Sequence, residues 1–166
     1  MLPPPRQPGR YAVALVCLGN ICRSPTAQVV LEQRLAEAGL DDRVVVRSAG
    51  TGDWHVGNPM DSRAAATLRA AGYDPSRHRA RQYAASWADE HDLVLAMDAD
   101  NLADLGGRSE RTGLFGDHDP VDPGSDVPDP YYGGSDGFAE VLAIVERTSD
   151  ALVADLAALL DGPGTP

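Results

Sequence analysis

A cysteine and an arginine with five residues between them, and a hydroxyl directly after the arginine, stand at Cys17-Leu18-Gly19-Asn20-Ile21-Cys22-Arg23-Ser24. That spacing lets the backbone wrap once around a tetrahedral oxyanion with successive N–H groups pointing inward. The helix begun by Ser24-Pro25-Thr26 adds its positive end at the same place. Leu18, Gly19, Asn20, Ile21 and Cys22 then form a phosphate cradle. Arg23 closes it, because a planar guanidinium matches two phosphoryl oxygens where a lysine presents only a point charge. The same positive field favours Cys17 as a thiolate, the reactive form for in-line attack at phosphorus. A hydroxyl from Ser24 can donate to that sulfur. Gly19 and Asn20 suit the curl because glycine and then asparagine tolerate positive φ best.

The plainer reading of a free cysteine is a small buried hydrophobe. For Cys17 the context argues otherwise, since an apolar run (Ala12-Val13-Ala14-Leu15-Val16) precedes the octapeptide and a helix start follows it. Cys22 stays open between a buried hydrophobe and a redox partner whose reversible disulfide would shield Cys17 from irreversible oxidation.

The surrounding elements must hold this loop. Tyr11 to Cys17 reads as a buried strand. Pro25 sits in the first turn of a helix whose Ala27, Val30, Leu31, Leu35 and Ala38 share one face until Gly39. Val44 to Val46 forms the next strand, residues 50–60 a loop, and Asp61 caps an alanine-rich helix running to Gly72. Leu93 to Ala96 is a continuous apolar run of the kind parallel sheets bury, followed by a short helix near Ala99 to Leu105 and a weaker strand at Thr112 to Phe115. Phe138, Val141, Leu142, Val145, Leu152, Leu156 and Leu159 stripe a long final helix. Strands alternating with helices predict an α/β doubly wound sheet with right-handed crossovers, and ligands in such sheets sit at the strands' C-terminal ends, where the Cys17 loop falls.

Residues 1–9, with three consecutive prolines and then Gln-Pro-Gly, read as a mobile tail; the domain is expected over 10–161, with a flexible tail at 162–166. Between Gly116 and Gly137 runs a long acidic, proline-rich loop. Asp117, Asp119, Asp122 and Asp126 are expected to face water. A calcium loop does not fit, because Val121 stands where an oxygen ligand is needed and no glutamate closes the run. Asp129 differs: the flanking prolines of Val-Pro-Asp-Pro-Tyr-Tyr restrict its backbone and fix its carboxyl group.

The chain of 166 residues is long enough for one domain with a sizeable core. Net charge is −11 and every cation is arginine, with no lysine. Such acidity argues against nucleic acid as a partner, but a local socket can still be positive. Both cysteines lie in one short loop, so no disulfide framework is possible, and no signal peptide or membrane span is recognisable. A reducing cytoplasm is the expected location, and the arginine-only, alanine-rich composition suggests a GC-rich bacterial genome. His55, His91 and His118 show no ligand spacing, so no metal site is expected.

Cys17 to Pro25, Ser48-Ala49-Gly50-Thr51, Trp54-His55-Val56-Gly57, Met97-Asp98 and Asp129-Pro130-Tyr131-Tyr132 occur in an order that resembles the low-molecular-weight protein-tyrosine phosphatases, over about residues 10 to 161. The resemblance implies a single four-stranded parallel sheet flanked by helices on both faces. It also implies cofactor-free hydrolysis of phosphotyrosine in proteins through a cysteinyl-phosphate intermediate, with inorganic phosphate as product. Expelling a phenolate, whose conjugate acid has a pKa of about 10, needs a proton donor. Asp129 matches the family's general acid, which then acts as base toward water, and activity is expected to peak on the acid side of neutrality.

Trp54, Tyr131 and Tyr132 fall in polar, Gly/Pro-bearing loops rather than in core-like runs. In the family, the counterparts of Trp54 and Tyr131 wall a slot too deep for phosphoserine, and that of Tyr132 suggests a phosphorylation site. Ser48 and His78 match positions that brace the loop through Asn20, a structural rather than a catalytic task. Three rival readings are less well matched. Thiol arsenate reductases need a further cysteine down the chain, arginine phosphatases carry threonine where Ile21 stands, and a phosphocarrier or redox sensor has no need of both Arg23 and Asp129.

Overall fold

The computed structural model describes residues 2–161. Four parallel strands make the sheet: β1 (Tyr11–Cys17), β2 (Val44–Gly50), β3 (Leu93–Ala96) and β4 (Thr112–Leu114), in the order β2-β1-β3-β4. Tyr11 pairs with Val44 and Cys17 with Gly50, while Val13 to Val16 pair with Leu93 to Ala96 on the other side. Chain order thus reverses beside β1, and the loop leaving its C-terminal end lies at the switch point where α/β sheets bind ligands.

Burial on both faces explains the apolar runs. Tyr11, Val13, Leu15 and Cys17 point into the large core shared with α1 (Arg23–Glu37), α2 (Ser62–Ala70) and α5 (Ser135–Asp161). Ala14 and Val16 point the other way, onto Ala49, Val94 and Trp87 of α3 (Trp87–Glu90), and Leu102 of α4 (Ala99–Asp104) packs with Ala96 and Leu114. Fully buried Leu15, Leu31 and Leu156 each contribute roughly 1.5–3 kcal/mol of burial free energy. Gly39 ends α1 at φ 71°, a conformation that lets Leu40 N–H reach back to the Leu35 carbonyl at 2.8 Å.

Three expectations are corrected. Residues 2–9 do not form an unpacked tail: Leu2 is buried in the main core, Tyr11 donates its hydroxyl to the Pro3 carbonyl at 2.9 Å, and Arg6 donates from its backbone to Asp92 at 2.6 Å. Proline-rich chain has little conformational entropy to lose, so a few such anchors suffice to order it. Residues 162–166 lie outside the described residues.

The aspartates of the acidic loop do not all face water. Asp119 is fully buried and accepts two hydrogen bonds from Arg147 on α5, at 2.9 and 2.8 Å; Asp117 pairs with Arg108, and Asp126 accepts from the Ala99 amide. These bonds lace the loop to the domain after a 3-10 turn at Phe115–His118. Finally, β2 runs on through Ser48, Ala49 and Gly50 beyond the expected Val44 to Val46, and α3 adds a short helix to the expected elements.

Candidate active site

The loop after β1 is built by backbone bonds to neighbouring elements. Thr51 and Gly52 amides donate to the carbonyls of Cys17 and Leu18, both at 2.9 Å, and the Asp61 amide donates to the Ile21 carbonyl at 2.9 Å. Gly50 is required by space: a Cβ there would lie 2.7 Å from the Leu18 carbonyl oxygen and 3.1 Å from the Asn20 nitrogen. Asn20 takes φ 56°, the only positive φ among described non-glycine residues. Every polar group of its side chain is used to hold it there. Its Nδ2 donates to Ser24 Oγ at 2.9 Å and Ser48 Oγ at 3.0 Å, and its Oδ1 accepts from the Arg81 amide at 2.9 Å. His78 Nε2 donates to the Asn20 carbonyl at 2.6 Å, which fixes the tautomer because a carbonyl can only accept. Burial lowers the pKa of His78, so the ring is neutral near pH 7. Ser48 in turn donates to Gln28 Oε1 at 2.6 Å. Ser48 and His78 thus both bond to Asn20.

Cys17 Sγ sits at the centre, buried, 2.9 Å from Ser24 Oγ and 3.3 Å from the Asn20 amide that donates to it. Ser24 already accepts from Asn20, so its own proton is free, and the sulfur is a nearer acceptor than the Ala49 carbonyl at 3.4 Å. With the sulfur ionised, both of these bonds come from donors, an arrangement that stabilises negative charge on it. Cys22, also buried, behaves differently: burial first, then the charges of Asp61, Cys17 and Asp129, push its thiol up to about 12. It stays neutral at physiological pH.

Arg23 is 3% exposed and spans the site. Its Nη1 donates to Asp98 Oδ2 at 2.6 Å and to the Val127 carbonyl at 3.2 Å, while Nη2 lies 3.5 Å from Asp129 Oδ2. Burial alone would pull its pKa down. The Asp98 hydrogen bond and the charges of Cys17, Asp129 and Asp98 outweigh that, and the guanidinium stays charged. Asp98 also caps α4 by accepting from the Asn101 amide at 2.8 Å, so one carboxylate orients both the helix and the arginine. Asp129, 37% exposed, is steadied by the Tyr131 amide at 3.1 Å.

A cleft of about 330 Å³ opens over Cys17 and Arg23, lined by Leu18, Gly19, Ile21, Cys22, Asp129 and an aromatic rim. Trp54 and Tyr132 in that rim are 69% and 90% exposed, and Tyr131 is half-buried. Tyr131 and Tyr132 meet edge to face at 4.9 Å, and the Arg63 guanidinium lies 5.4 Å from the Tyr131 ring. Cys17, Leu18, Gly19, Ile21, Cys22, Arg23, Trp54, Asp129, Tyr131 and Tyr132 line the cleft, with Asn20 and Ser24 buried beneath it and Ser48 and His78 behind the loop. Two residues of the site had been given no task. Asp98 stands directly after the buried run of β3, at the strand end where ligands sit, which was a legible signal; His55 lines the cleft beside Trp54. Among the described residues no cluster of three or more His, Cys, Asp or Glu is placed to hold a metal, and no helix is long and apolar enough to cross a membrane.

Comparison with known proteins agrees with this geometry. The family model described as low molecular weight phosphotyrosine protein phosphatase matches residues 12–160. A low molecular weight protein-tyrosine-phosphatase of Streptomyces coelicolor is 45% identical over 160 residues, covering 92% of this chain and 97% of that relative. Low molecular weight protein-tyrosine phosphatase A of Mycobacterium tuberculosis is 46% identical over 148 residues, covering 84% and 88%. Among solved structures, a protein tyrosine phosphatase from Entamoeba histolytica superposes with a TM-score of 0.83 at 32% identity, covering 88% of this chain and 96% of that one. YfkJ from Bacillus subtilis gives 0.82 at 34%, covering 89% and 94%. A cysteine loop closed by arginine, on this sheet order and with relatives matched along nearly their whole length, leads to one conclusion: the chain belongs to the low molecular weight phosphotyrosine protein phosphatase family and is a hydrolase.

Proposed function

We propose that the enzyme hydrolyses phosphotyrosine in proteins by two in-line displacements at phosphorus, with Cys17 as nucleophile. In the first, Cys17 Sγ forms a bond to phosphorus as the phosphorus–oxygen bond to tyrosine breaks, and Asp129 gives its proton to the departing phenolic oxygen. In the second, Asp129 takes a proton from water as the water oxygen attacks. The sulfur–phosphorus bond then breaks, inorganic phosphate leaves, and Asp129 is again protonated. Arg23 and the amides of residues 18–22 bind the equatorial oxygens throughout, so their interaction strengthens as charge spreads in the transition state. Ser24 stabilises the thiolate, first as nucleophile and later as leaving group. Nothing in this cycle calls for a cofactor.

The observation that carries this reading is the donor arrangement at the sulfur, with Ser24 and the Asn20 amide both directed at Cys17 Sγ and Arg23 and Asp129 within the same cleft. Trp54 and Tyr131 would clasp the tyrosine ring, and a cleft walled this way favours an aryl phosphate over a shorter alkyl one. A thiolate nucleophile works only where thiols stay reduced, which supports a cytoplasmic location; the net charge of −11 supports protein rather than nucleic acid as the substrate carrier.

The test is steady-state turnover of a phosphotyrosyl peptide by the parent, Cys17→Ser and Asp129→Asn proteins. Cys17→Ser is expected to be inactive. Asp129→Asn is expected to lose about 10²- to 10⁴-fold in kcat, with inhibition by inorganic phosphate little changed. Equal rates in Asp129→Asn and parent would remove Asp129 from the mechanism.

A further inference from the structure

A second polar cleft, of about 420 Å³, shares no lining residue with the substrate cleft. One wall is the run Arg77-His78-Arg79-Ala80-Arg81. Ala80 is buried and His78 is turned onto Asn20, while the alternate residues Arg77, Arg79 and Arg81 are exposed and line the cleft. Seven of the fourteen arginines pair with carboxylates, but these three pair with none among the described residues, in a chain that carries 25 acidic residues. Arg79 is held by the carbonyls of Ser76 and His78 at 3.3 and 2.7 Å. Two carboxyl groups also border the cleft. Asp74 accepts from the amide and hydroxyl of Ser76, at 3.0 and 2.6 Å, which with the charge of Arg77 holds its pKa low. Burial raises the pKa of Glu32 against the opposing charge of Arg77. Arg77 therefore has carboxylates nearby without a direct ion pair, while Arg79 and Arg81 have neither among the described residues. Three guanidinium groups at alternate positions repel one another, and an oxyanion between them would offset that repulsion with charge-assisted hydrogen bonds.

The cleft is also the back wall of the catalytic loop. The residues that hold Asn20 at φ 56° are the Arg81 amide, the His78 ring and Ser48 Oγ, and all three residues line it. We propose that this cleft binds a phosphate group, free or carried by a small metabolite, and that its occupancy is felt at Asn20 through Arg81, His78 and Ser48. A ligand that draws the 77–81 segment together steadies the partners of Asn20 and, through them, the cradle around Cys17.

The test counts inorganic phosphate bound by isothermal titration at constant ionic strength. Two equivalents are expected for the parent, one for Arg77→Gln/Arg81→Gln, one for Arg23→Ala and none for the combined variant, each variant first shown to be folded by circular dichroism. Phosphate stoichiometry in Arg77→Gln/Arg81→Gln equal to that of the parent would overturn the site. Failure of Arg23→Ala to lose its equivalent would bear instead on the catalytic loop, so the two readings fail separately. In Arg23→Ala protein, phosphate should also slow hydrogen exchange at the Asn20 and Arg81 amides; binding with no such change would overturn the coupling. Repeating the titration with glycerol 3-phosphate assigns the source, since tighter binding than inorganic phosphate marks a carried phosphate group and equal or weaker binding a free one.

Discussion

Arg23 illustrates how a single residue draws its function from neighbours distant in sequence. Its guanidinium is nearly inaccessible to solvent and is held by the 2.6 Å bond to Asp98, by the Val127 carbonyl and, at 3.5 Å, by Asp129. Asp98→Asn keeps the shape but removes the charge. With a charge-assisted hydrogen bond contributing about 1.5–3 kcal/mol, kcat/KM for an aryl phosphate should fall roughly 10- to 100-fold. Steady-state kinetics check this, and an unchanged kcat/KM would show that Arg23 needs no such support. That Cys17, Arg23 and Ser24 meet in one place was legible because one octapeptide contains them all. Asp98 was visible as part of a motif yet carried no role, because its meaning is a contact with a residue 75 positions away. Asp119 was misread for the same reason: a charged residue in an acidic loop looks solvated until a partner, here Arg147, is found on another element.

At the level of elements, the loop's shape depends on the end of β2 as much as on its own sequence. Gly50 pairs with Cys17 in the sheet, and its missing side chain leaves room for the Leu18 carbonyl and the Asn20 amide. Gly50→Ala places a methyl group against backbone atoms that cannot rotate away, so the cradle must open. The expected result is a loss of turnover of at least about 100-fold, the scale on which an ångström-sized misplacement acts, with the far-ultraviolet circular dichroism unchanged. Parent-like turnover in that variant would mean that the loop tolerates the shift. Strands β1 and β3 were readable from continuous apolar runs, since both of their faces are buried. The C-terminal half of β2 was not, because Arg47, Ser48 and Gly50 break the apolar pattern at the strand end nearest the site. Helix α3 spans only four residues, too short for any periodicity to show.

For the whole molecule, pH is the sharpest probe of how the parts are held together. Burial is the leading cause that lowers the pKa values of His78, His91 and His118 below the ordinary value of 6.5. The unfolded chain therefore takes up protons first on acidification. Stability should be at its plateau above pH 6.5, begin to fall through that value, and go on falling until the folded-state values are reached. Asp119, held below the usual carboxylate range by Arg147, adds a further loss once the pH drops below the ordinary carboxyl value. Urea midpoints measured between neutral and acidic pH should decline steadily, and a midpoint that rises on acidification from pH 7 to 5.5 would contradict the burial of these rings. The N-terminal segment belongs to the same whole-molecule account, because Leu2 is buried in the main core and the Arg6 amide donates to Asp92, 86 residues away in sequence.

The central claim concerns a bond that forms and breaks at one sulfur. Rapid quenching of the Asp129→Asn enzyme during turnover of p-nitrophenyl phosphate, whose leaving group needs little protonation, should trap an intermediate that forms readily and decays slowly. Peptide mass spectrometry at acidic pH is predicted to find one phosphoryl group on Cys17 and none in the Cys17→Ser protein. A phosphoryl group on any other residue, or turnover that persists in Cys17→Ser, would contradict the account.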